Sequence, residues 1–166
     1  LSQGEKVGDS VNETKSSFFD HISSLGTGIY MLDWATRFTI WLLYLVEFAN
    51  WNSQAAIGYG CGDDNDANMT GFSDSINYHT GTFTYSRTVY SVGVQYRNIE
   101  GLWESTYDWV DGCYYNENGF YIIMRPSDFS DSVNGFFACQ PTKGFPSVMR
   151  ISEDYNWLIY PSTSSG

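Results

Sequence analysis

The chain has 166 residues, of which 18% are aromatic and only 16% charged, with 16 glycines and a formal net charge of −11. This length fits one domain with a sizeable core, and the aromatic content excludes an intrinsically disordered chain. The shortage of Lys and Arg speaks against nucleic acid and anionic membrane as partners, since both need basic side chains to neutralise phosphate.

The first residues, Leu1-Ser2-Gln3-Gly4-Glu5, carry neither an initiator Met nor the basic start of a signal peptide. We therefore read the chain as a domain excised from a longer protein. Residues 1–24 are polar and mixed, as in a linker or lead-in segment, with Phe18 and Phe19 placed to pin it to the body. Residues 25–166 then form a single domain. A first strand is predicted over 25–31, punctuated by Gly26 and Gly28. Asp33 is placed to cap a helix over about 34–50. The apolar stripe of that helix (Trp34, Phe38, Trp41, Leu42, Leu45, Phe48 and Ala49) is widened by Ile40, Leu43 and Tyr44, so burial on most faces is expected. Its apolar run is too short to span a bilayer and contains Glu47, so no membrane insertion is expected. Residues 62–81 are loop-like, whereas 82–96, rich in Thr, Tyr and Val, predict one or two strands.

The segment 96–112 concentrates aromatics and carboxylates. Ile99, Trp103, Tyr107 and Val110 share one helical face, and Glu100, Glu104, Asp108 and Asp111 another. A row of like charges at i, i+4 costs a few tenths of a kcal/mol per pair, so packing, a cation or a basic partner must hold it as a short helix or ordered turn. Beyond it, strands are predicted over 119–124, 135–139, 148–151 and 157–160, with a turn at 125–128. One long buried helix, a short second helix and several short, mostly antiparallel strands make an α+β domain.

Three stretches carry a family resemblance: Leu45-Val46-Glu47-Phe48-Ala49-Asn50-Trp51-Asn52-Ser53-Gln54 with Ile57-Gly58-Tyr59-Gly60, then Tyr96 to Trp103 with Asp108-Trp109-Val110-Asp111-Gly112, and Ile159-Tyr160-Pro161-Ser162. This pattern resembles the C-type-lectin-like domains of phage tail and bacterial surface proteins. That fold is shared with the variable proteins of diversity-generating retroelements and with formylglycine-generating enzymes. Glu104-Ser105-Thr106-Tyr107 stands where the family has Gly-Asn-Val-Trp. The family's closing Gly-Gly-x-Trp stretch and final strands, which carry variable ligand-binding residues in retroelement relatives, do not follow residue 162. The fold is thus expected to be truncated at its C-terminus or completed by another chain, and an oligomer fits that expectation.

Four kinds of chemistry have candidate residues in the chain. Asp64, Asp66 and Asn68 alternate like the first ligands of a calcium loop, so Ca²⁺ is the cofactor to consider. However, Met69 replaces the turn glycine and Ser75 the bidentate glutamate, and a solvated Asx-rich turn competes with it. Glu100, Glu104 and Asp108 offer the paired carboxylates of a glycoside hydrolase, which needs them about 5 to 9 Å apart. The competing reading is a solvated or capping face. Trp51, Trp103, Trp109, Tyr114, Tyr115 and Trp157 present amphipathic rings of the kind that stack on sugars, although Trp34, Trp41 and Trp103 read as core. Residues 114–118 read as an exposed loop, which makes Trp109, Tyr114, Tyr115, Asn116 and Trp157 the ligand-binding candidates. Finally, His21 and His79 lack a neighbouring nucleophile motif. Cys61, Cys113 and Cys139 have no metal-binding spacing, and the copper-holding cysteine pair of the formylglycine-generating enzymes is not matched. One disulfide with a free thiol and three thiols both remain open, the odd count favouring the reduced form.

The expected function is that of a non-enzymatic receptor-binding or adhesion domain, extracellular on a phage tail or bacterial surface. Its partners would be a cell-surface glycan or protein receptor and other chains of the same assembly. A structural virion module and a glycoside hydrolase are the alternatives.

Overall fold

The structure is a computed structural model that describes residues 14–60, 71, 73–84, 92–103, 108–116, 119–123, 125–130, 135–139 and 145–165. It is mixed α+β, with small antiparallel sheets. The chain divides into two units, one holding Trp41–Asp108 and the other Thr14–Ile40 with Trp109–Gly166.

Helix α1 (Lys15–Ser24) lies within the segment read as a linker. Its start is fixed by a reciprocal cap in which the Ser17 N–H donates to Thr14 Oγ1 and the Thr14 N–H donates to Ser17 Oγ. The predicted strand over 25–31 does not form. Gly26 and Gly28 take φ of +123° and +93°, outside the extended region a strand needs. Pairing is confined to a single parallel bridge between Asp33 and Asp111. Helix α2 (Trp34–Phe48) follows as expected. Asp33 caps it, its Oδ1 accepting from the Thr36 N–H at 2.6 Å. Burial on most faces is not observed: Phe38 and Tyr44 are buried, but Leu43 is exposed and Val46 is 85% exposed. The stripe is therefore one-sided.

In the unit of Trp41–Asp108, α2 is followed by a single helical turn, α3 (Ser53–Ala56), capped by Asn52. Strands β1 (Gly81–Thr84), β2 (Val92–Tyr96) and β3 (Ile99–Glu100) form one antiparallel sheet in that order. Here the helical reading of 96–112 is overturned. Arg97 and Asn98 take φ of +48° and +66°, forming the two-residue turn with left-handed central positions that suits a hairpin. Tyr96 pairs with Ile99 across it, and the Gly101 N–H donates back to the Val94 carbonyl. Residues 99–100 are thus a strand, 102–103 a turn and 108–110 irregular, while 104–107 lie outside the described residues. The core of this unit is aromatic. Tyr44 stacks on Phe48 at 5.1 Å and meets Tyr96 and Trp103 edge-on. Trp103 also donates its indole N–H to the Gly58 carbonyl at 2.8 Å.

In the other unit, β4 (Cys113–Asn116), β5 (Gly119–Ile122) and β6 (Phe136–Cys139) form a second antiparallel sheet. The loop expected at 114–118 is therefore a strand as far as Asn116, with Tyr114 paired to Tyr121 and Asn116 to Gly119. Strands β7 (Phe145–Ile151) and β8 (Ile159–Ser165) pair as a hairpin. Pro146, which has no N–H to give, sits next to a register shift. The first half of α2 packs here, with Trp34 edge-on to Phe120 at 5.0 Å and Phe38 edge-on to Trp157 at 6.2 Å. Ile122 and Leu158 are fully buried. No described helix is long and apolar enough to cross a membrane.

Candidate functional site

A cavity of about 910 Å³ opens in the unit of Thr14–Ile40 and Trp109–Gly166, within the range of about 300–1,000 Å³ typical of small-molecule sites. Four stretches separated in sequence build it. Helix α1 contributes Lys15, Ser16 and, one turn on, Phe19; residues 30–36 contribute Tyr30, Met31, Leu32, Asp33 and Thr36; Asp111 and the turn around Pro126–Asp128 complete it with Pro126, Phe129 and Ser130.

Backbone pairing holds the acidic side. The Trp34 N–H donates to the Asp111 carbonyl at 2.7 Å and the Asp111 N–H to the Leu32 carbonyl at 2.8 Å. These bonds set Asp33 and Asp111 opposite each other as bridge partners. Asp111 is only 7% exposed. Its Oδ1 accepts from the Gly112 N–H at 2.9 Å and pairs with Lys15 Nζ at 2.7 Å. Lys15 opens α1, where a cation opposes the helix dipole; the Asp111 carboxylate offsets that and orders the ammonium. Both carboxylates are engaged through Oδ1, and among the described residues no hydrogen bond reaches Oδ2 of either.

The apolar wall depends on Gly112. Its φ is +72°, and a Cβ there would lie 2.7 Å from the Phe129 ring and 3.1 Å from the Ile123 carbonyl oxygen. Only glycine lets the ring lie against this backbone. At the rim, Tyr30 is 83% exposed and Phe19 is exposed as well, so both present ring area to solvent. At the start of β4, Cys113 is a free thiol that donates to the Val110 carbonyl at 3.6 Å. Burial pushes it above the usual thiol range, Lys15 opposing that shift and Asp111 adding to it, which keeps the sulfur protonated and weakly nucleophilic at neutral pH.

The residues singled out by sequence fall elsewhere. Trp109 is exposed; Trp157 is exposed on one side while its ring packs against Phe38 and Tyr155. Tyr114 is half-buried beside Tyr121, and Asn116 accepts from the Gly119 N–H at 3.2 Å. The side chain of Tyr115 and the candidate calcium ligands Asp64, Asp66 and Asn68 lie outside the described residues. Among the described residues no group of three or more His, Cys, Asp or Glu is arranged to hold a metal ion. In the acidic row, Glu100 accepts from the Gly71 N–H at 2.8 Å and the Ser73 hydroxyl at 3.4 Å. Asp108 is exposed, Glu104 lies outside the described residues, and no helix aligns Glu100 with Asp108.

The sequence marks Asp33 only as a cap and Asp111 only within an acidic row and the resemblance-bearing stretch 108–112, and gives no sign of Lys15 or Tyr30 as site residues. The one readable signal was the Thr14-x-x-Ser17 start of α1, which makes Phe19 follow Lys15 by one turn. Comparison with known families, with characterised proteins and with solved structures returns no significant match for this chain.

Proposed function

We propose that this chain is a recognition domain that binds a ligand without transforming it, and that the cavity between α1, residues 30–36 and Phe129 is where it binds. The observation that carries this reading is the composition of the cavity: aromatic and aliphatic walls around a few fixed polar groups, the arrangement of a small-ligand site. The resemblance to C-type-lectin-like domains of phage tail and bacterial surface proteins supports the same reading. It suggests an extracellular adhesion role in which the bound group belongs to a receptor on a cell surface. The aromatic excess of the chain is in keeping with a contact surface.

A blocking substitution tests it. Ser16 is exposed on α1 and lines the cavity, so Ser16→Trp should fill the mouth while leaving the Thr14–Ser17 cap intact. The purified domain should bind receptor-bearing cells or an arrayed glycan or receptor protein, and Ser16→Trp should abolish that binding with an unchanged circular dichroism spectrum. Binding that survives Ser16→Trp would place recognition elsewhere, and turnover of a glycan by the wild type would overturn the non-enzymatic reading.

A further inference from the structure

The balance of charge in the cavity names a ligand class. Its described lining holds one cation, Lys15, and two carboxylates, Asp33 and Asp111. The Lys15 ammonium neutralises Asp111 through Oδ1, and Asp33 Oδ1 serves the cap of α2. Two carboxylates on bridged backbone positions against one ammonium leave a negative balance among the described lining residues, which also include Phe19, Tyr30 and Phe129. A carboxylate next to aromatic faces attracts an organic cation twice over. The acid supplies Coulombic attraction, strengthened where water is partly excluded, and the ring quadrupole supplies cation–π attraction. A neutral ligand gains ring contact and at most a hydrogen bond to a carboxylate, without the charge–charge attraction, and an anion is repelled. The chain's net charge of −11 further raises the local concentration of cations.

We infer that the cavity takes an organic ammonium group carried on an apolar body, held by Asp33 and Asp111 and walled by Phe19, Tyr30 and Phe129. This rests on the cavity being the recognition site, and it specifies what is recognised there. The same chemistry is offered by a free amine and by a lysine side chain of a protein partner.

Isothermal titration of the intact chain with three probes that share a phenethyl body separates the classes: phenethylamine, phenethyl alcohol and 3-phenylpropionate. The amine should bind about ten-fold or more tightly than the alcohol and the acid most weakly, with the preference shrinking as salt screens it. Asp33→Asn keeps a capping oxygen of nearly equal quality, so it should fold; it should lower amine affinity about ten-fold and alcohol affinity by distinctly less, because only the amine loses a full charge–charge attraction. Lys15→Met removes the resident cation and should tighten amine binding, an effect opposite in sign to general damage. Equal binding of amine and alcohol, tighter binding of the acid, or no binding of any probe overturns the ammonium assignment. If Ser16→Trp still abolishes binding of another ligand in those cases, the cavity remains the recognition site; if it leaves amine binding intact, the site itself is wrong. A blocked lysine-containing peptide run beside phenethylamine identifies the source, tighter peptide binding marking a protein side chain and tighter amine binding a free amine.

Discussion

The two units put the same residue type to different uses. In the unit of Trp41–Asp108, the rings of Tyr44, Phe48, Tyr96 and Trp103 close on one another, with centroids between 5.1 and 6.5 Å apart. Tyr96 is left 1% exposed. In the unit of Thr14–Ile40 and Trp109–Gly166, Trp34, Phe38 and Phe120 pack in the same manner, but Phe19, Tyr30 and Phe129 line a cavity. An aromatic excess is therefore not one signal. Rings that pack against rings stabilise through burial and edge-to-face contact. Rings that face open space contribute little to stability and are available for binding.

The largest expected effect lies in the packed cluster. Tyr96→Ala removes a fully buried ring touching two others and should cost about 3–5 kcal/mol, as large core truncations do; chemical denaturation would measure it. A loss below about 1 kcal/mol would mean that the cluster is not a core. Next comes Gly112→Val, which combines a left-handed backbone with a side chain driven into Phe129; about 2–3 kcal/mol is expected from strain and overpacking. Because the clash displaces a cavity wall, this variant should also weaken ligand binding, which the cluster variant should not. Smaller still in stability is Tyr30→Ala, at an exposed position where changes usually stay within about 0.5 kcal/mol. Its melting temperature should barely move while binding to the cavity falls. An unchanged affinity in Tyr30→Ala would erase the distinction between packed and displayed rings.

Helix α2 was legible in the sequence because two independent cues agree, a capping Asp33 and a wide apolar stripe, and no tertiary contact overrides them. The hairpin strands were legible from Thr, Tyr and Val content. The segment 96–112 misled because i, i+4 spacing is satisfied there by coincidence. The two left-handed residues Arg97 and Asn98 decide its course, and Asn is among the few side chains that tolerate that region. Helix α1 was hidden by its weak apolar face, with no buried residue. Its start is held by a local cap and by the Lys15–Asp111 pair, a partner remote in sequence. The cavity was hidden for the same reason: its four stretches carry no shared binding motif, and what joins two of them is the backbone bridge from Asp33 to Asp111.

The smallest effect concerns how the packed cluster meets water. The Tyr96 hydroxyl donates to Glu47 Oε2 at 2.9 Å, and Arg97 Nε donates to the same oxygen at 2.9 Å. The bond from Arg97, then that from Tyr96, holds the Glu47 carboxyl below its ordinary value of 4.5, while burial first and Glu47 second push the Tyr96 hydroxyl up. A carboxyl whose pKa is lower in the folded than in the unfolded chain binds fewer protons when folded. Its stabilising contribution is therefore present in full above pH 4.5 and is lost as the pH falls through the lower, folded value. Glu47 and Arg97 are both exposed, so screening keeps the contribution small. Glu47→Gln should lower the melting temperature slightly at pH 7, the gap to wild type should narrow on acidification, and added salt should shrink it at neutral pH. A gap that stayed constant from pH 7 to strongly acidic conditions would show that the ionised carboxylate does not anchor the rim of the aromatic cluster, leaving ring packing alone to hold Tyr96 in place.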